Sequence, residues 1–108
     1  MNFKKILLES AIENYKRDLE QYLDGRSEPY DFPYRSGATV SFSKGYMDGY
    51  GYVLSVEVST NKNDQLLASA KVMEGRTLFY DSNGNKAGSK EGIPDPAKLF
   101  GRLLEIFG

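Results

Sequence analysis

The sequence predicts a small α+β domain: an antiparallel meander of four strands, with a fifth strand possible, and an N-terminal and a C-terminal helix packed on it. Residues 37–73 alternate apolar and polar side chains almost without interruption, which is the period of half-buried strands. The two ends of the chain instead repeat apolar residues every three or four positions, which is the period of a one-sided helix. Each helix must cover its apolar side, so we expect the order α-β-β-β-β-α with both helices on the sheet.

The composition is that of an ordinary globular chain, and it argues against several kinds of chemistry. The 108 residues suffice for one domain, which we expect to span residues 1–108. The net charge is −1, so no broad basic field attracts nucleic acid or an anionic membrane. The chain has no cysteine and no histidine, so it lacks disulfides, thiolate ligands and the commonest general base. We therefore expect no enzyme activity, no cofactor and no metal site.

The N-terminus lacks the pattern of a signal peptide. Lys4 and Lys5 are followed by only three apolar residues, 6–8, before Glu9. No apolar stretch approaches the roughly 20 residues that a membrane-spanning helix requires. From the sequence we expect a cytoplasmic protein that does not engage a membrane.

The first helix is predicted over residues 3–23. Apolar residues spaced 4, 3, 4 and 3 apart define its buried side: Leu8, Ile12, Tyr15, Leu19 and Tyr22. Charged residues occupy the other side. Among these, Glu9 and Glu13 form an unfavourable like-charge pair, whereas Glu13 forms favourable pairs with Lys16 and Arg17, so the charges on this side are roughly balanced.

A loop containing two prolines follows at residues 26–36, where proline disfavours both helix and central strand. The loop also holds three aromatic side chains, Tyr30, Phe32 and Tyr34. We favour an arrangement in which these lie across one edge of the core, because large aromatic side chains are mostly buried. The alternative is that they form an exposed contact surface.

The first hairpin can be assigned a register from the faces of its strands. The apolar residues are all even-numbered: Ala38, Val40 and Phe42 in one strand, and Leu54, Val56 and Val58 in the next. Directly paired residues share a face, so the two numbers of each pair must add to an even value. A three-residue loop at 47–49 meets this condition and gives Gly49 the left-handed position. This register pairs Phe42 with Leu54 and Tyr46 with Tyr50.

The same parity extends to a third strand, which follows a three-residue connection at 61–63. Its apolar face comprises Leu66, Ala68, Ala70 and Val72, and Leu67 points to the outer face. Ala68 and Ala70 are small where their neighbours are large, which leaves room for a helix to approach the sheet.

The sequence pattern of the fourth strand does not show which side chains face the core, whether that of Phe79 or those of its neighbours Leu78 and Tyr80. The following Asn83-Gly84 is a strong hairpin signal and allows a short fifth strand at residues 86–89.

Asp81, Asn83 and Asn85 have the one-three-five spacing of calcium-binding loops. The sixth position is not glycine, the twelfth is not glutamate, and no helices flank the segment. A hairpin turn explains the same residues, so we do not predict a calcium site.

The second helix has a clear start signal, with Asp95 as N-cap and Pro96 as its first residue. Its apolar stripe comprises Leu99, Phe100, Leu103, Leu104 and Phe107. Gly101 is unexpected, since glycine inside a helix costs about 1 kcal/mol relative to alanine. Together with Ala97 it forms a small notch where another element could approach closely.

The order of elements resembles that of double-stranded-RNA-binding domains, which run α-β-β-β-α, but the resemblance is one of topology alone. Those domains grip phosphates with a lysine cluster that opens the second helix, where this chain has acidic Glu91 and Asp95. Lys86, Lys90 and Lys98 are nearby but dispersed along the sequence. We assign the chain to no family.

The most suggestive surface is the tip of the first hairpin, where glycines alternate with tyrosines. Surfaces of this kind recur in binding sites because tyrosine offers a large amphipathic area at low entropic cost. We predict a small non-catalytic protein-binding module of inhibitor, immunity or host-interaction type. Its predicted contacts are Tyr46, Met47, Tyr50 and Tyr52 at the tip, and Tyr30, Phe32 and Tyr34 in the adjacent loop.

Three other interpretations stay open. The tyrosines would stack bases in a nucleic-acid-binding protein, with Arg35, Lys44 and Lys71 contacting phosphate. An enzyme that uses Asp31 and Asp48 is the least supported. The outer face of the central strands is small, hydroxylated and nearly uncharged, and would serve as a solvated surface or as the interface of a homodimer.

Overall fold

The computed structural model describes residues 3–24, 38–49, 51–60, 62, 65–73 and 75–107. Within these residues the chain forms two helices and a five-stranded antiparallel sheet with strand order β1-β2-β3-β4-β5. The helices are α1 (Phe3–Asp24) and α2 (Pro96–Phe107). The strands are β1 (Ala38–Met47), β2 (Gly51–Thr60), β3 (Leu66–Met73), β4 (Arg76–Tyr80) and β5 (Lys86–Glu91). The predicted α+β meander is confirmed, and the fifth strand forms.

The β1–β2 hairpin keeps the predicted parity and the three-residue spacing between its strands, but its register differs by two residues. Met47 pairs with Gly51, so residues 48–50 connect the strands instead of 47–49. Tyr46 lies opposite Tyr52, whereas the sequence predicted that it lies opposite Tyr50. A shift of two positions leaves every side chain on its predicted face, because side chains alternate with a period of two.

The β2–β3 pairing is also displaced by two residues, with Ala70 opposite Val56. The connection takes five residues and not three. A bulge shifts the register between Val58 and Ser59 and leaves Leu67 as the extra residue of β3. The prediction for Leu67 was therefore wrong, because the bulge breaks the alternation and places this side chain in the core.

Both helices pack on the same face of the sheet, and the core lies between them and the strands. Besides Leu67, the buried core residues are Ile12, Tyr15, Leu19, Leu54, Val56, Val58, Ala68, Ala70, Val72, Phe79, Leu99, Phe100 and Leu103. Helical and strand periodicity predicts most of these positions. Phe79 lies opposite Ala70 and faces the core, so Leu78 and Tyr80 lie on the outer face.

The start of α2 has the predicted cap. The backbone N–H of Lys98 donates to Asp95 Oδ1 at 2.9 Å, which satisfies one of the free donors of the first helical turn. From α1, the Tyr15 hydroxyl donates to the Pro94 carbonyl at 2.6 Å. Burial raises the pKa of Tyr15, and the charges of Asp95 and Asp18 raise it further. The segment that leads into α2 is thereby fixed to α1.

Asp81, Asn83 and Asn85, which have the spacing of a calcium-binding loop, form the β4–β5 turn. Asp81 Oδ1 accepts hydrogen bonds from the backbone N–H groups of Asn83 at 2.9 Å and Asn85 at 3.0 Å. This carboxylate oxygen therefore closes the turn, as short polar side chains commonly do.

Part of the outer face of the sheet is covered. Thr39, Ser41 and Ser43 of β1 are exposed on it, but Val53 and Met73 are each only 3% exposed. Among the helices described, none is both long and apolar enough to cross a membrane.

Candidate binding surface at the hairpin tip

The β1–β2 hairpin extends beyond the neighbouring strand. Among the described residues, Leu54–Val72 is the last β2–β3 pair, whereas the β1–β2 pairing continues through residues 51–53. At about 3.3 Å per residue, these three residues carry the hairpin about 10 Å past that pair. All residues from 43 to 49 are exposed. The tip is therefore a projecting feature that solvent reaches on several sides.

A pair of tyrosines stiffens the projecting part. The rings of Tyr46 and Tyr52 meet edge to face, with centroids 5.4 Å apart and an interplanar angle of 73°. This is a favourable aromatic geometry. Tyr52 also packs partly against the core, while Tyr46 remains 52% exposed. The exposed ring thus rests on a partner that is itself anchored.

The first turns of α1 support the base of the tip. A Cβ at Gly51 would lie 2.9 Å from Leu8 Cδ2, and Gly51 has a φ of +84°, so a side chain there would displace Leu8 and strain the backbone. Leu7, which precedes Leu8, is 56% exposed, and Met47 is 39% exposed. We call the exposed apolar residues at this end of the molecule, Leu7, Tyr46 and Met47, the tip patch. Tyr46 and Met47 are successive residues of β1, so their side chains lie on opposite faces of the hairpin.

Leu7 was absent from the predicted contact residues. It falls outside the helical stripe that contains Leu8 and Ile12, so its side chain has no place in the core. An apolar residue on the polar side of a helix is the sequence signal that would have identified it.

Lys44 joins the hairpin to α1. Its Nζ lies 2.6 Å from Glu13 Oε1 and 3.0 Å from Glu9 Oε1, and 5.9 Å from the centroid of the Tyr52 ring. The hydrogen bond from Lys44 lowers the pKa of Glu13, and the bonds to Glu13 and Glu9 raise the pKa of Lys44. A cation from the sheet therefore lies between the two like charges on α1 and reduces their repulsion.

The structure places three of the predicted contact residues at the tip. The rings of Tyr46 and Tyr52 are in contact, and Met47 lies on the opposite face of the hairpin. The others, Tyr30, Phe32, Tyr34 and Tyr50, lie outside the described residues, as do Arg35 and Asp31. Asp48 is exposed in the tip connection. Lys71 lies on the outer face with its Nζ 5.8 Å from the centroid of the Tyr80 ring, on the opposite side of the sheet from Tyr46.

The fold defines a small α+β protein in which two helices cover one face of a five-stranded antiparallel meander. Comparison of the chain with models of known protein families, with curated proteins and with solved structures finds no significant match. Among the described residues, no group of three or more acidic side chains is placed to hold a metal ion.

Proposed function

We propose that this protein is a small non-catalytic binding module that contacts another protein through the tip patch. One observation carries the proposal: in the described part of the chain, three of the four large exposed apolar side chains belong to this patch. Single exposed apolar residues are common on soluble proteins, whereas their grouping marks interaction sites. The fourth, Ile93, precedes α2.

The geometry suits a contact surface that is formed before binding. The Tyr46 ring is held by Tyr52, the β1 backbone is paired with β2, and Lys44 ties the hairpin to α1. Side chains that are already ordered lose less entropy on association. Tyrosine and methionine are also enriched in the centres of protein interfaces.

The partner that fits this patch presents an apolar pocket for the Tyr46 ring. An inhibitor, immunity or host-interaction role is consistent with the size of the chain, by analogy alone. The aromatic loop at residues 26–36 stays a proposed extension of the surface.

Nucleic-acid binding is the weaker alternative. Base stacking on tyrosine is usually accompanied by basic side chains that follow the phosphates. Lys44 is engaged by two carboxylates, and Lys71 lies on the other face of the sheet. Of the described cations proposed for phosphate contact, the one near the tip tyrosines is therefore already paired with carboxylates, and the other lies across the sheet from Tyr46.

The proposal is tested by recovering partners from the native host with the wild-type chain and a Tyr46→Ala/Met47→Ala variant. Interface hot spots cost about 2 kcal/mol or more when truncated, so the variant should lose at least about 30-fold in affinity for a true partner. Ile93→Ala, an exposed apolar truncation outside the patch, is the matched control and should retain the partner. Equal recovery by all three proteins would contradict the proposal. A captured nucleic acid whose binding weakens steeply with salt would favour the alternative.

A further inference from the structure

A concave surface lies between β5 and α2, at the opposite edge of the sheet from β1. It is a groove of about 440 Å³, within the range of small-molecule sites. The groove exists because α2 packs over β3 and leaves the edge of the sheet at β4 and β5 less covered. None of the residues in the tip patch lines it.

One stripe of α2 forms the helical wall of the groove. Its members, Lys98, Gly101, Arg102 and Glu105, are spaced 3, 1 and 3 apart, which places them on a single side of the helix. Lys90 of β5 lies on the facing wall, and the buried side chains of Phe79 and Pro94 form apolar surface beneath.

The groove is basic, although the chain as a whole carries a net charge of −1. Its lining has three cations, Lys90, Lys98 and Arg102, against one carboxylate, Glu105, which gives the lining a charge of +2, or +1 when the neighbouring Asp95 is included. Arg102 Nη1 is 2.9 Å from Glu105 Oε2, an exposed pair. Lys98 Nζ is 3.9 Å from Asp95 Oδ2 and is mostly exposed. Exposed pairs of this kind are weak, so these carboxylates compete little with a bound anion.

Gly101 is the residue that packing does not explain. The sequence predicted that another element approaches closely at this notch, but a Cβ at Gly101 would meet no atom within 4 Å. The backbone has an ordinary helical conformation there, so no left-handed φ calls for glycine. The helix gives up stability at this position. The consequence of the missing side chain is open space in the wall of the groove.

We propose that this groove binds a small organic anion. A carboxylate or phosphate group would lie among Lys90, Lys98 and Arg102, and an apolar ring or chain would lie on Phe79 and Pro94 beside Gly101. A few charged groups that surround an apolar floor are the usual construction of a small-molecule site. This proposal is independent of the tip patch.

The test uses the full chain labelled with ¹⁵N and titrated with phenyl phosphate, which combines both parts of the proposed ligand. We expect amide shifts at Ser89, Lys90, Gly101 and Arg102 at millimolar concentration. Phenol and inorganic phosphate, each of which carries half of the recognised chemistry, should bind about tenfold more weakly or worse. Benzoate in place of phenyl phosphate tells whether the site prefers a carboxylate.

Two variants locate the site. Arg102→Gln should weaken phenyl phosphate binding about tenfold, the usual effect of losing one charge-assisted hydrogen bond. Gly101→Leu should also abolish the shifts, because the leucine side chain fills the open space in the groove. Leucine is a good helix former, so α2 should be retained. A thermal melt of Gly101→Leu confirms that the fold is retained. Lys62→Gln, a charge-matched change in the β2–β3 connection, should have no effect.

Three results would overturn the proposal. The first is the absence of shifts in the groove at millimolar phenyl phosphate. The second is an equal loss of affinity in Lys62→Gln and Arg102→Gln, which would indicate attraction by net charge alone. The third is equal binding of inorganic phosphate and phenyl phosphate together with unchanged binding by Gly101→Leu, which would indicate an adventitious ion only.

Discussion

The hydroxyl of Tyr15 joins two parts of the chain that lie 79 residues apart. Tyr15 is in the middle of α1, and its hydroxyl donates to the carbonyl of Pro94, just before α2. Its ring is buried in the core, so the hydroxyl would have no water to bond with if this acceptor were absent. A buried polar group of this kind fixes how the two helices meet.

Replacing Tyr15 by phenylalanine should lower the free energy of unfolding by about 1 kcal/mol. The ring and its packing remain, but the Pro94 carbonyl loses its donor in a buried setting. Urea denaturation near neutral pH measures the difference. Tyr80→Phe is the matched control, because Tyr80 lies on the outer face and its ring can stay beside Lys71. A loss in the control as large as in Tyr15→Phe would contradict the argument.

The difference in stability between the wild type and Tyr15→Phe should depend on pH. The pKa of Tyr15 is raised in the folded protein above the ordinary value of 10.0, chiefly by burial. A raised pKa means that the neutral form is favoured in the folded state, so this contribution to stability is full below pH 10 and is lost as pH rises further. The wild type should therefore lose stability faster than Tyr15→Phe in alkaline solution.

Replacement by alanine should change the stability of the protein in opposite directions at two glycines that lie in different elements. A Cβ at Gly101 or at Gly49 would meet nothing within 4 Å. Gly101 lies within α2, so Gly101→Ala should raise the free energy of unfolding by about 1 kcal/mol. Gly49 has a φ of +86°, so Gly49→Ala should lower it by about 1 kcal/mol. Denaturation of both variants measures the pair, and destabilisation by Gly101→Ala would show that the space beside it is not open.

The strands show how far alternation predicts a sheet. The sequence predicted correctly that the numbers of paired residues in the β1–β2 hairpin add to an even value. An odd sum would place apolar residues of one strand opposite polar residues of the other and expose part of the buried face. The register itself was wrong by two residues, because a slip of two preserves every face and so leaves no trace in the apolar pattern. Gly49 and Gly51 both have left-handed φ values, and the sequence offered no means of ranking them. The bulge at Leu67 was equally invisible, since it depends on a local extra residue.

The two candidate sites were predictable to different extents. Tyr46 and Met47 were identified from local composition, because both lie in one short glycine-rich segment. The groove was missed, because its cations come from two different elements. Lys90 and Lys98 were read as dispersed along the chain, yet β5 and α2 bring them to the same groove, together with Arg102. The unexplained glycine at position 101 was the one signal that the sequence carried.

At the scale of the whole molecule, both helices lie on one face of the sheet, and contacts between distant segments set their positions. The apolar core binds them without a strong directional preference. Two directional contacts supply that preference. Tyr15 of α1 donates a hydrogen bond to the Pro94 carbonyl just before α2. Lys44 of the hairpin pairs with Glu9 and Glu13 of α1. The second of these contacts lies directly beside the tip patch.

Replacing Lys44 by methionine should release the hairpin from α1 and leave Glu9 and Glu13 to repel each other. Methionine keeps an apolar stem that can rest beside Tyr52. The hydrogen bond from Lys44 is the main reason that the pKa of Glu13 lies below 4.5, so in Lys44→Met this pKa should rise towards or above that value. Titration of the Glu13 carboxyl by NMR measures it directly, with Lys62→Met as a control outside the contact.

The effect on stability should depend on pH and on salt. A lowered pKa of Glu13 contributes stability that is present above pH 4.5 and lost as pH falls, and a raised pKa of Lys44 contributes stability that is present below pH 10.5 and lost as pH rises. The difference between wild type and Lys44→Met should therefore be largest between these limits and shrink towards either extreme. High salt should also reduce it, because these side chains are partly exposed. If the pKa of Glu13 is the same in both proteins, Lys44 does not hold the hairpin to α1 in solution, and the tip patch is not positioned by this contact.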